Sequence, residues 1–128
     1  MRVDGLITNF NAGAKVEPYR IVKHGAGDKV AIQASAAVDA MIGVSDQLGA
    51  NAAGDPMDVI RSGLAEVEYG GNVTRGQPLT SDADGKAIAA APAAGQSVRI
   101  IGHAEVSGVN GDIGSAHLAP STLTDGGT

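Results

Sequence analysis

Apolar residues recur at a period of two over short stretches of this chain, the pattern of strands that bury one face and wet the other. It is plainest in LAEVEY, residues 64–69, where Leu64, Ala65, Val67 and Tyr69 are set against Glu66 and Glu68. The pattern predicts strands over residues 19–23, 29–33, 41–44, 57–61, 64–69, 86–90, 97–106 and 113–118. Between them fall turn signals, GAGD at 25–28, SG at 62–63, YGGN at 69–72, DADG at 82–85 and NGD at 110–112. Residues 71–87 read as a turn, a short strand, a second turn and the start of another strand. Short strands and turns at this spacing predict an all-β domain, a small β-barrel or β-sandwich.

Three segments stand outside the pattern. Residues 34–40, ASAAVDA, have helix-forming composition with Ser35 placed to cap, but seven residues hold at most one short helix without tertiary support. Residues 1–17 scatter Val3, Leu6, Ile7, Phe10 and Val16 among Gly5, Asn9, Asn11 and Gly13 before Pro18, which reads as an extended N-terminal arm. The other reading of this segment is an N-terminal strand packed on its own domain. Residues 119–128 lack periodicity and read as a flexible C-terminal tail. The expected organisation is therefore an arm over 1–17, a barrel or sandwich over 18–118 and a tail over 119–128.

Composition narrows the function. Of the 128 residues 43% are hydrophobic, but 22 are Ala and the only aromatics are Phe10, Tyr19 and Tyr69, so the core is thin and self-association is an expected source of stability. A net charge of −5, without a basic run or an aromatic stacking platform, argues against a nucleic-acid partner. With no Cys there is no disulfide framework and no thiol nucleophile. No stretch approaches the ~20 apolar residues of a membrane span, and the N-terminus carries Asp4 in place of a signal-like apolar run. No membrane partner is expected, and synthesis is expected in the cytoplasm.

Candidate chemistry is sparse. Gly71, Val73, Gly76, Leu79 and Lys86 stand at a spacing comparable to the Gly-x-x-Val-x-x-Gly-x-x-Leu turn and modified Lys of lipoyl and biotinyl carrier domains. In those domains the Lys sits at the hairpin tip, whereas Asp84-Gly85 moves Lys86 past the turn. The simpler reading makes Asp84 and Gly85, with Gly71 and Gly76, structural turn residues and Lys86 the first residue of the returning strand. An EF-hand with Gly85 at its sixth position puts Thr80 first and Ala91 twelfth, without the needed carboxylates. His24, His103 and His117 are far apart in sequence and form no metal-binding pair of standard spacing. No Gly-x-Ser-x-Gly elbow or phosphate-binding loop is present. No catalytic residue, cofactor or metal is expected.

Taken together, Ile42-Gly43-Val44, the block 57–67, the glycine-punctuated block 71–87, Ile101-Gly102 and the strand 113–118 resemble the capsid cement, or head decoration, proteins of tailed bacteriophages. The resemblance runs over about residues 5–118; where the family usually has Gly-Asp before a Leu, this chain has Gly76-Gln77-Pro78. It implies a structural virion protein, not an enzyme, on the outer surface of the head, where it binds the major capsid protein, reinforces joints between its subunits and forms a homo-oligomer; the thin core and apolar arm, repeated around a closed axis, make a trimer the expected number. On that reading the arm makes the capsid or inter-subunit contact through Leu6, Ile7, Phe10, Val16 and Tyr19, by adding a strand to a neighbour's sheet edge. The alternatives are a lipoyl- or biotinyl-like carrier and a carbohydrate-binding surface module; the second lacks the exposed aromatic cluster such modules present.

Overall fold

The computed structural model describes residues 2–125. Eleven strands make up the fold, with no helix among the described residues: β1 (Val3–Asp4), β2 (Ile7–Ala12), β3 (Ile21–His24), β4 (Val30–Gln33), β5 (Met41–Ser45), β6 (Pro56–Ile60), β7 (Gly63–Glu68), β8 (Pro78–Ser81), β9 (Ala87–Ala89), β10 (Ser97–Ala104) and β11 (Ile113–Thr124). Strands β2-β4-β3-β5-β6 close into a barrel, and β1-β7-β11-β10-β8-β9 form a six-stranded sheet beside it. All eight predicted strands are present, seven within two residues of their expected bounds and the last running on from 118 to 124, as is the short strand expected within 71–87.

Alternation along the barrel strands sorts their side chains into two cores. Phe10, Ala12, Val22, Ala31, Ile42, Met57 and Val59 fill the barrel with Val16 and Ala50. Ile21, Met41 and Ile60, each next to one of these in sequence, and Val44, which follows a register shift between β3 and β5, pack instead with Ala65, Val67, Tyr69, Leu79, Ile101 and Leu118 of the sheet. Strand β5 is buried at all five positions because one of its faces lines the barrel and the other abuts the sheet. Such a strand reads as an unbroken apolar run.

Two segments, residues 7–12 and 119–124, differ from the sequence expectation, while residues 34–40, expected to hold at most one short helix, hold none. Residues 7–12 are a stave of the barrel: β2 pairs antiparallel with β6 from Ile7↔Ile60 to Asn11↔Pro56, and parallel with β4 at Asn11↔Val30 and Ala12↔Ala31. The period-two order Phe10, Ala12 inward and Asn9, Asn11 outward suits that place, and without β2 the facing edges of β4 and β6 lose their ladder partner. Residues 34–40 form turns, because the Asp39 carboxylate accepts the N–H groups of Ser35 (2.8 Å) and Ala36 (3.0 Å). Partial burial pushes the Asp39 pKa up, but the hydrogen bonds from Ser35, Lys23 and Ala36 and the Lys23 charge outweigh it and hold the carboxyl below its ordinary value. Residues 119–124, expected in the tail, continue β11 against β10, with Leu123 opposite Val98 and a register shift between Ile100 and Gly102. The rest of the expected tail, 126–128, lies outside the described residues.

Candidate functional site

The residues singled out in the sequence fall mainly into a joint inside the molecule and into its exposed rims, with Phe10 and His24 together at one groove. The joint is the β8–β9 hairpin tip. Asp82 accepts the N–H groups of Asp84 (2.8 Å) and Lys86 (2.9 Å), which coils the tip. Gly85 completes the turn at φ 75°, a conformation glycine adopts without strain. The tip is seated against the barrel: Gln33 Nε2 and an Arg20 Nη donate to the Asp84 carbonyl at 2.7 and 3.0 Å, and the Ile21 N–H donates to the Gly85 carbonyl at 2.8 Å. Lys86 folds back to Glu68 at 3.2 Å, on the carboxylate that also pairs with Arg20 at 3.3 Å. Lys86 is thus held at a seam between barrel and sheet, unlike a carrier lysine displayed at a free tip. Gly71 lies at the turn after β7 and Gly76, at φ 89°, at the turn before β8.

The expected arm residues divide. Phe10 and Val16 are buried in the barrel interior, Ile7 is half-buried and packs against the barrel–sheet core, and only Leu6, 54% exposed, keeps a free apolar side chain. Tyr19, half-buried at φ 60°, joins barrel to sheet by accepting the Glu68 N–H at 2.9 Å on its carbonyl. Of the five residues expected to make the arm contact, Phe10 and Val16 are thus built into the chain's own barrel, and Leu6 is the one with a free side chain to offer.

Exposed apolar side chains gather elsewhere. Val106, Val109 and Ile113 stand out on and beside the loop between β10 and β11, and Val3 and Leu6 flank Gly5 at the other end of the sheet. The first group is positioned by Tyr69, which is fully buried and donates its hydroxyl to the Val106 carbonyl at 2.7 Å. A Cβ on Gly108 or Gly114 would overlap the Tyr69 ring, so both glycines are needed for the ring to lie under the loop. Burial, then the Asp112 charge, push the Tyr69 phenol above its ordinary value. Sequence reading saw the turn at 110–112 but had no signal that Tyr69 locks it, because the pairing spans about forty residues.

Two further placements were hidden in the sequence. His103 and His117 stand directly opposite one another across β10 and β11, both exposed. Strand β11 pairs with β7 only as far as Leu118↔Gly63, so the outer edge of residues 119–124 has no strand partner among the described residues.

A family model for phage cement proteins matches residues 6–114. No curated protein matches the chain in sequence. Among solved structures, the N base of the head fiber protein gp8.5 of bacteriophage phi29 is similar in fold, with a TM-score of 0.66 at 19% identity over 92% of this chain and 97% of that one.

Proposed function

The chain belongs to the phage cement protein family and has a structural role associated with the phage capsid, and from that membership we propose that it binds the outer surface of the assembled head and strengthens contacts between neighbouring major capsid subunits. The single observation that carries the reading is the family match over residues 6–114. Two physical features support it. The loop that carries the exposed Val106 and Val109 and leads to Ile113 is pinned at the Val106 carbonyl by a buried tyrosine, which lowers the backbone ordering cost of burying it against a lattice. The unpaired outer edge of residues 119–124 offers backbone donors and acceptors to a strand from a neighbouring copy. Closed symmetry repeats such a contact around an axis, and a trimer is the arrangement we favour.

Binding the lattice and not the free subunit stabilises the lattice by linkage, growing as RT ln(1 + [L]/Kd) at each site. The test is to add purified protein to heads that lack it and to unassembled capsid subunits, and to follow both by co-sedimentation. Saturable binding to heads with little binding to subunits is expected; equal binding to both, or to neither, overturns the proposal.

A further inference from the structure

The described surface has one groove whose chemistry the cement reading does not use. It lies between β2 and the turn joining β3 to β4, encloses about 620 Å³ and is lined by Thr8, Phe10, His24, Asp28, Lys29 and Arg61 among others. We propose that this groove is a binding site for a carboxylate side chain on an acidic peptide segment.

Charge is the first argument. Arg2, Lys15, Arg20, Lys23 and Lys86 each pair with a carboxylate. Among the described residues Lys29, Arg61, Arg75 and Arg99 make no ion pair, and two of these four, Lys29 and Arg61, line this groove. With Asp28 the one carboxylate in the lining against them, the groove is net cationic on a chain of net charge −5, which favours an anionic occupant.

Geometry is the second. Arg61 lies over the Phe10 ring, its Cζ 5.7 Å from the centroid, and the His24 ring meets Phe10 edge-on at 6.4 Å. An arginine stacked on a ring is pre-oriented, and its guanidinium donors, none of which bonds to a described residue, remain available as a fork that fits a carboxylate.

The Asp28 carboxylate, also in the lining, selects among anions. It repels a phosphate dianion more strongly than a single carboxylate, so an acidic side chain is the better match.

The test needs no capsid and is therefore independent of the cement reading. A capped Gly/Glu pentapeptide, its Gly/Gln counterpart and inorganic phosphate are each titrated into the intact protein while backbone amide signals are followed. The Glu peptide is expected to move signals of residues 8–10, 24–29 and 61 at saturation, with the Gln peptide and phosphate at least about tenfold weaker. Arg61→Gln should lose about tenfold in affinity, and Lys29→Asn, chosen because Asn tolerates the φ of 62° there, a smaller factor. Arg75→Gln, remote in sequence and exposed, should bind as the parent does. The proposal is overturned if phosphate binds as tightly as the Glu peptide, if all three variants lose equally, or if the groove signals do not move.

Discussion

Tyr69 is the largest fully buried side chain, and one atom of it decides how an exposed loop is held. Its hydroxyl caps the Val106 carbonyl and its ring occupies the space left by the missing side chains of Gly108 and Gly114. Tyr69→Phe should therefore cost about 1 kcal/mol, the net value of one hydrogen bond. Gly114→Ala should cost more, about 1–3 kcal/mol, because a methyl group there displaces the ring from a packed core. Chemical denaturation of the two variants checks both, and a Gly114→Ala as stable as the parent refutes the packing account. The phenol also makes a pH prediction. Its folded pKa is raised, so the stability it contributes is fully present below the unfolded value near 10 and is lost as pH rises through the higher folded value. The melting-temperature advantage of the parent over Tyr69→Phe should thus be constant from pH 7 to 9 and shrink above pH ~10. At this scale the sequence was legible where one residue acts on its neighbours: Asp84 and Gly85 could be read as a turn, since the positive φ of Gly85 is a local requirement. It was silent on Tyr69, whose role depends on glycines that come close only through the pairing of β7 with β11.

At the scale of elements, legibility followed the balance between local pattern and local propensity. Strands rich in β-branched residues, such as 41–45 and 97–104, carry pattern and propensity together. In β2 the two conflict: ITNFNA has an inward-facing Phe10 and Ala12 but sets two Asn residues between them, and Asn is depleted in strands. Pairing with β4 and β6 overrides that preference, which turns an expected arm into a structural stave. The consequence is directly measurable. Deleting residues 2–5 removes only β1, whose two residues pair with β7 at Leu64 and Gly63, and should leave a folded protein with a slightly lower melting temperature. Deleting residues 2–17 removes β2 as well, opens the barrel and uncovers Val22, Ala31, Met57 and Val59. That variant should lose its cooperative melting transition. A cooperative transition retained by the longer deletion would return residues 7–12 to the status of a dispensable arm. The hairpin tip makes a parallel case: a Cβ on Gly85 meets Gln33 Cγ at 2.8 Å and the carbonyls of Ala34 and Ile21 at 3.2 Å. Gly85→Ala combines that crowding with an unfavourable φ, at a cost of about 1–2 kcal/mol for the backbone alone. Thermal melting of this variant should show the loss, whereas Gly76→Ala, at a turn where no atom approaches within 4 Å, should pay only the backbone part.

For the whole molecule, the two-core arrangement explains how a chain with three aromatics and 22 alanines is folded at all. Small side chains let barrel and sheet approach closely, and strands such as β5 contribute apolar surface to both cores at once. The family could be read from turn glycines and strand alternation because those features are local, whereas the contact surface could not, because exposure depends on which strands the fold leaves uncovered. The expected capsid contact lay on Phe10 and its neighbours; the exposed large apolar residues include Val106, Val109 and Ile113 at one end of the sheet and Val3 and Leu6 at the other, with Val38 and Leu48 on separate loops before and after β5. The cement proposal then separates these ends. Val106→Asp with Val109→Asp changes only exposed positions, so the melting temperature of the isolated protein should move little, but it places two charges where the lattice contact is proposed. Heads carrying the double variant should release packaged DNA at the same temperature as heads with no added protein, whereas Leu6→Asp should retain most of the protection given by the parent. If the double variant protects heads as well as the parent, the β10–β11 loop is not the contact. If Leu6→Asp alone abolishes protection, the contact lies at the N-terminal end, on the one expected arm residue that the barrel leaves free.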